Sequence, residues 1–217
     1  MEFLQSVLQL YIDRGGWFLQ LVLDHLALSL TAILIAGCAG LALGILISEY
    51  RRAAPFVMGV CNVFYTIPSI SLLGILIPFL GIGNKTAVTA LTIYAIMPMV
   101  RNTYAGITAI DPDVVEAARG MGSTRFQILV RVKLPLAFGV ILAGLRNMAV
   151  MTISVGGIAS YIGAGGLGVA IYRGITIYNP AMTFAGSLLI ALLALGSDFL
   201  LGLAEKHYKK KRRLNLS

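Results

Sequence analysis

The chain has 217 residues, of which 58% are apolar and only 12% are charged. Soluble domains carry about 25% charged residues, so this composition excludes an ordinary soluble domain and indicates an integral membrane protein. The net charge is +8. Cys38 and Cys61 both lie inside apolar stretches, so neither a disulfide framework nor a Cys/His metal site can be assembled from them.

The N-terminal 16 residues lack the basic segment and the small-residue cleavage site of a signal peptide, so we expect them to be retained. Their apolar residues predict one of two structures. The first is a short interfacial helix with Trp17 as an anchor at the membrane boundary, and the second is a frayed tail.

Charge-free stretches and basic clusters together predict the topology. Leu26–Ser48 carries no charge and, at about 1.5 Å per residue, covers a hydrocarbon core of about 30 Å. Basic clusters lie at 51–52, 101–133 and 206–213, and the positive-inside rule places them in the cytoplasm. The stretch 53–100 must then cross twice, which gives an all-α polytopic membrane protein with five transmembrane helices, the N-terminus outside and the C-terminus cytoplasmic.

This topology makes 1–217 a single transmembrane domain. Its expected parts are helices at about 26–48, 55–80, 86–107, 136–160 and 181–203, a cytoplasmic loop at 108–135 and a basic cytoplasmic tail at 205–217. Because the basic tail directly follows a helix, we expect it to contact membrane lipid of an anionic leaflet rather than nucleic acid.

The cytoplasmic loop is longer than a connection requires, and loops of such length are usually functional. Asp111 suits an N-cap and Pro112 the first helical position, so a short helix is predicted from Pro112 to about Arg119. Gly120 and Gly122 then break it.

A second helix is predicted after this break. Thr124 and Gln127 have the spacing of a capping box, so the helix begins there and runs towards Leu134 and the membrane. In the first helix, Ala117 and Ala118 predict a bare surface that a partner can approach closely.

The run Glu116–Ala118, followed by Gly122, Val132 and Leu134–Pro135, resembles the EAA signature of bacterial ABC-importer permeases. That family usually has isoleucine where this chain has Val132. In the family, the loop forms a coupling helix that docks into a separate ATP-binding subunit; the alternative is an ordinary surface helix with solvated charges. The resemblance implies the following ATPase-coupling residues: Asp111, Pro112, Glu116, Ala117, Ala118, Gly120, Gly122, Leu134 and Pro135.

Four further segments resemble the permeases of osmoprotectant importers for glycine betaine, carnitine and choline. They are 65–69, 101–107, 143–146 and 162–168. Methionine-importer permeases share the fold and a similar glycine-rich stretch, so methionine or another amino acid is the alternative substrate. The resemblance implies a type I ABC importer permease fold, similar to that of the methionine importer, in the bacterial cytoplasmic (inner) membrane.

The resemblance also implies partners. We expect a second permease subunit, identical or paralogous, two copies of an ABC ATPase subunit that bind ATP and Mg, and an extracytoplasmic solute-binding protein. The chain itself has no G-x-x-x-x-G-K-[ST] loop and no catalytic or metal-binding constellation, so we expect a transport subunit rather than an enzyme, without a cofactor of its own. An ion-coupled secondary transporter would require an inverted repeat or midplane carboxylates, and the sequence has neither.

Several residues are candidates for a pathway or gate. Arg146 lies about 16 Å along a helix from Pro135 and is expected deep in the protein, where a structural or gating pair with Asp198 is an option. Aromatic rings attract quaternary ammonium groups through cation–π interactions, although packing is the alternative role for each tyrosine. The glycine-rich stretch at 162–168 predicts a tightly packed turn rather than a dinucleotide site, because no βαβ unit surrounds it. The candidates are Tyr65, Pro68, Tyr94, Tyr104, Arg146, Gly165 and Gly166.

Overall fold

The computed structural model describes residues 2–214, and their side chains as far as His207. The side chains of the predicted basic tail from residue 208 onwards lie outside this description. The described residues contain helices and no strand. In chain order the helices are α1 (Glu2–Asp13), α2 (Gly15–Glu49), α3 (Ala54–Thr66), α4 (Ser69–Leu80), α5 (Asn84–Thr108), α6 (Pro112–Gly120), α7 (Arg125–Ile128), α8 (Leu134–Gly156), α9 (Gly168–Thr176) and α10 (Pro180–Leu214), with 3-10 turns at Arg51–Ala53 and Gly157–Ile162 and a π-helical turn at Leu129–Lys133.

Three helical stretches are long and apolar enough to cross a membrane. They are Gly15–Glu49, Arg125–Ile162 and Pro180–His207. A fourth crossing is possible if the bent pair Arg51–Thr66 and Ser69–Leu80 forms one span. Helix α5, which covers the predicted span 86–107, is not among these stretches.

The chain bends sharply between α3 and α4. The sequence predicts a helix over 55–80 that Pro68 bends, and the structure has two separate helices there, which meet at 99°. A proline disfavours helical geometry in the residue before it, and Ile67 is accordingly extended, with φ −64° and ψ 128°. Pro68 therefore ends α3 and redirects the chain into α4.

Helix α5 lies between α2 and α8 and packs closely against both. A Cβ added at Gly44 of α2 would lie 2.5 Å from the Cβ of Thr103. On the other side, a Cβ added at Gly144 of α8 would lie 2.5 Å from the Cβ of Asn102. Because lipid tails are as apolar as the helices, such close approach is a principal source of helix association in a membrane.

The N-terminal segment forms a helix, as one of the two predicted alternatives requires. Helix α1 packs against α10, where the Tyr11 hydroxyl donates a hydrogen bond to the Ala185 carbonyl at 2.8 Å. Phe3 and Phe184 contact edge to face, with 5.5 Å between ring centroids, and Val7 is buried. The frayed-tail alternative is therefore wrong.

The packing of α2 on α5 predicts opposite effects for two glycine substitutions. We expect Gly44→Ala to destabilise the protein by about 1–3 kcal/mol, because the new methyl group overlaps Thr103. Gly74→Ala in α4 is the matched control, since a Cβ there meets nothing within 4 Å, and we expect it to be neutral or to stabilise by about 0.5–1 kcal/mol. Thermal unfolding in detergent measures both; equal shifts for the two variants would contradict the packing account.

Candidate functional site

The predicted first helix of the loop 108–135 is confirmed as α6. The Asp111 side chain accepts a hydrogen bond from the Asp113 amide at 2.9 Å, and Pro112 occupies the first turn. Asp113 lies in the first turn and Arg119 in the last, so each charge complements the helix dipole. Local chemistry therefore favours a short helix at the predicted place.

The predicted capping box is also present. The backbone amide of Gln127 donates to the Thr124 hydroxyl at 3.3 Å, and the backbone amide of Thr124 donates to the side-chain oxygen of Gln127 at 2.8 Å. Between α6 and α7, Gly122 has a φ of +82°, a left-handed conformation that glycine adopts without steric cost. The glycine that the sequence marks as a helix breaker therefore makes the turn between the two helices.

The two alanines of α6 face different environments, which corrects the expectation of a bare surface formed by both. Ala118 is only 4% exposed, because it faces inward, whereas Ala117 is exposed. The apolar surface of the loop comes instead from Met121 and Phe126, which are 81% and 74% exposed. Exposed apolar groups of this size beside a charged helix are typical of a protein interaction surface.

The loop contacts the bundle at its C-terminal end. Pro135 has no N–H to donate, so the carbonyl four residues before it loses its α-helical partner, and the chain widens into the π-helical turn Leu129–Lys133. Leu134 packs on the core beside α5, and the Lys133 ammonium lies 2.5 Å from the Glu49 carboxylate at the end of α2. These contacts connect the loop to both α8 and α2.

Arg146 joins α8 to α10 through two carboxylates. Its Nε and Nη2 atoms donate to the two oxygens of Asp198 at 2.5 and 2.6 Å. Its Nη1 atom lies 3.6 Å from Glu205. A Cβ at Gly202 would lie 3.4 Å from the guanidinium carbon, so Gly202 leaves room for the arginine. The pair with Asp198 that the sequence offers as an option is thus formed, and Glu205 is an additional partner.

The three candidate tyrosines do not form one site. The rings of Tyr65 and Tyr94 meet edge to face, with 6.3 Å between centroids. The Tyr94 hydroxyl donates to the Ile67 carbonyl at the bend, and the Tyr65 hydroxyl donates to the Met151 sulfur at 3.5 Å. Tyr104 instead packs beside α2 and α3 in a separate apolar cluster. Only the first two tyrosines lie together at the α3–α4 bend.

The glycine-rich stretch packs tightly against the beginning of α2 and of α5. The Gly165 amide donates to the Asn84 side chain at 3.3 Å. Gly166 has a φ of +95°, and a Cβ there would lie 3.0 Å from Nδ1 of His25. The predicted tight turn is therefore present, and its glycines permit a backbone approach that another residue would prevent.

Sequence reasoning assigned no role to His25, which the structure places at the centre of this region. The side chain is 1% exposed, and Nε2 donates to the Ile153 carbonyl at 2.9 Å. Helix α8 changes to a 3-10 turn at Gly157, so carbonyls in its last turn lose ordinary helical partners. A lone histidine in an apolar stretch was the only available signal, and it does not identify its partner.

Among the described residues, no group of three or more His, Cys, Asp or Glu side chains is arranged to hold a metal ion. The polar arrangements among these residues are the α6–α7 loop, the ion-pair cluster around Arg146 and the Tyr65–Tyr94 pair.

Solved structures with the same fold define the class of protein. The chain is similar to the inward-facing MetNI methionine ABC transporter, with a TM-score of 0.78, 25% identity and coverage of 88% of this chain and 96% of that one. It is also similar to an amino acid ABC transporter, with a TM-score of 0.77, 23% identity and coverage of 95% and 99%. The fold is that of type I ABC importer permeases.

The family follows from the sequence comparisons. The family described as binding-protein-dependent transport system inner membrane component matches residues 36–210, and the chain belongs to this family. Similar proteins include the carnitine transport permease protein OpuCB of Listeria monocytogenes, 39% identical over 93% of each chain. The glycine betaine/carnitine/choline transport system permease protein OpuCD of Bacillus subtilis is 41% identical over 95% of this chain and 90% of its own.

The ion-pair cluster predicts non-additive effects on stability. We expect Arg146→Gln and Asp198→Asn each to lower the unfolding temperature, because each leaves a charged partner without its bidentate contact. The double variant should lose less than the sum of the two, since no unpaired charge of this pair remains. The measurement is a double-mutant cycle, in which the thermal unfolding of the wild type, the two single variants and the double variant is compared in nanodiscs. Strictly additive losses would argue against an energetic coupling between Arg146 and Asp198.

Proposed function

We propose that the chain is the membrane-spanning permease subunit of an ATP-driven importer for a quaternary-ammonium osmoprotectant such as glycine betaine, carnitine or choline. The similarity to osmoprotectant permeases over more than nine-tenths of the chain supports this proposal. The choline transport system permease protein OpuBD of Bacillus subtilis adds to it, with 38% identity over 98% of this chain.

A second substrate class has a specific observation in its favour. The methionine transporter MetNI has the same fold, but at only 25% identity. The higher identity to permeases named for carnitine, choline and glycine betaine favours the osmoprotectant over methionine or another amino acid.

The proposed topology keeps five crossings of the bacterial inner membrane, with the N-terminus outside and the C-terminus in the cytoplasm. Helices α3 and α4 together form the broken second crossing. Helix α5 forms the third, although it is less apolar than the others, because it packs between α2 and α8 and so need not face lipid along its whole surface. Placing the Arg51–Arg52 corner, the α6–α7 loop and the C-terminus on one side agrees with the positive-inside rule.

In this topology the α6–α7 loop is the contact with the ATPase. Glu116, Ala117, Met121 and Phe126 are all exposed and offer one charge with apolar surface to a complementary cleft. We infer an assembly of two permease subunits and two ATPase subunits, in which the ATPases bind ATP and Mg and a separate solute-binding protein delivers the solute. The join between the loop and α8 would carry the ATPase motion into the membrane and drive alternating access.

The α3–α4 bend is the proposed place of solute contact. Tyr65 is 43% exposed there, whereas Tyr94 is 7% exposed, so Tyr65 offers a ring face to a quaternary ammonium group and Tyr94 supports it. Arg146 is held by two carboxylates, so its charge is more than balanced and does not repel a cationic solute. Its proposed role is to hold α8 against α10.

We expect ATP-dependent uptake of a quaternary amine by the chain reconstituted in liposomes with its co-purifying partners. Labelled glycine betaine, carnitine, choline and methionine are compared with and without ATP. Uptake of methionine alone would keep the transport class and replace the substrate, whereas uptake that needs no ATP would contradict the proposed class.

We expect Glu116→Lys to reduce ATP-dependent uptake at least about tenfold, because a reversed charge at the docking surface costs several kcal/mol in a wrong pairing. The control is Glu2→Lys, which makes the same charge change at an exposed position of α1 and should leave uptake unchanged. The measurement is uptake together with ATPase co-purification, which separates failed coupling from failed assembly. Normal uptake by the Glu116 variant would refute the role of α6.

A further inference from the structure

A cleft of about 350 Å³ lies between α6 and the adjacent ends of α2 and α5. Three cationic side chains line it, Arg51, Arg119 and Lys133, with Glu116 as the acidic one. The cleft is therefore net positive. The coupling role proposed above uses Glu116 but assigns nothing to Arg51 and Arg119.

The cations of the cleft differ in what they already bind. Lys133 is paired with Glu49 at 2.5 Å. Arg51 and Arg119 have neither a side-chain hydrogen bond nor an ion pair within the described part of the chain. Two guanidinium groups without a carboxylate partner thus face one cavity. The planar fork of arginine binds two oxygens of one phosphate at once, which a lysine ammonium does not do.

The position of the cleft indicates where such a phosphate comes from. Helix α2 ends at Glu49 and α5 at Thr108, so the cleft lies where these helices leave the hydrocarbon. Ile110 and Val115 are half-buried and form part of its wall, which provides apolar surface next to the charges. An anionic lipid combines the same two features, because its phosphate lies next to apolar acyl chains.

We propose that this cleft binds the phosphate of an anionic membrane lipid through Arg51 and Arg119. The proposal rests on the proposed cytoplasmic placement of α6, but not on the transported solute. Arg51 belongs to the turn after α2, and Arg119 to the last turn of α6. A bound phosphate therefore joins the bundle to the coupling helix and holds the helix in place.

The test is a lipid titration of the purified complex, followed by native mass spectrometry with phosphatidylglycerol and, separately, phosphatidylcholine. We expect Arg51→Gln and Arg119→Gln each to weaken phosphatidylglycerol binding at least about tenfold, as loss of a charge-assisted hydrogen bond implies. Arg52→Gln is the matched control, since it makes the same charge change at the neighbouring exposed residue, outside the cleft. We expect Arg52→Gln to lower the affinity for phosphatidylglycerol at most about fivefold, because it removes only the general attraction between a surface charge and an anionic lipid.

Equal losses in Arg51→Gln and Arg52→Gln would overturn the site, because they would reflect surface charge alone. Arg119→Lys keeps the charge without the fork, so an intermediate affinity supports phosphate recognition. Unchanged unfolding temperatures establish that the variants are folded.

Two further arms separate the sources of the anion. Displacement of the lipid by millimolar inorganic phosphate, with the same dependence on Arg51, would assign the cleft to a soluble phosphate and overturn the lipid assignment. Loss of the ATPase subunit from the Arg51 and Arg119 variants, with lipid binding unchanged, would assign the two arginines to a contact with that subunit. This result would also overturn the lipid assignment. Lipid binding is measured without ATP or solute. A complex that binds lipid but does not transport would therefore contradict the proposed transport function and leave the lipid site intact.

Discussion

The close approach of α2 and α8 to α5 is the constraint on which the other features of the molecule depend. Helices in lipid gain little from the hydrophobic effect when they associate, so contact between backbones at small residues replaces it. Gly44 and Gly144 provide this contact from opposite sides of α5. Because α5 is held between two neighbours, it can carry Arg101 and Asn102 within a membrane domain. Its two ends fix the places of the glycine-rich turn and of the α6–α7 loop.

The second organising feature is the continuity from the loop to the last helix. The π-helical turn at Leu129–Lys133 lets the chain pass Pro135 without a break, so α7 and α8 lie within one long apolar stretch. Arg146 then connects α8 to Asp198 and Glu205 of α10. The exposed loop is therefore continuous with α8 and, through a charged contact, is connected to α10. This physical continuity is what the proposed coupling mechanism requires of the permease subunit.

Polar groups in the apolar part of the protein have mostly structural partners. His25 donates to a carbonyl at the end of α8, and Tyr94 donates to the carbonyl freed at the α3–α4 bend. Both hydrogen bonds avoid the same free-energy cost, because a backbone carbonyl without a partner in an apolar medium is unfavourable by several kcal/mol. Tyr65 differs because its ring stays partly exposed. The two tyrosines therefore differ in how much of each ring a solute can reach.

Local hydrogen bonding explains what could be predicted from the amino-acid order. The cap at Asp111, the capping box at Thr124 and the turn at Gly122 involve groups within a few residues of one another, so α6 and α7 appear where the pattern places them. Other features depend on residues far apart in the chain. The burial of Ala118 and the separation of Tyr104 from Tyr65 follow from packing between helices, which periodicity does not encode. The same holds for the cleft between Arg51 and Arg119, because only the folded chain brings the end of α2 beside α6.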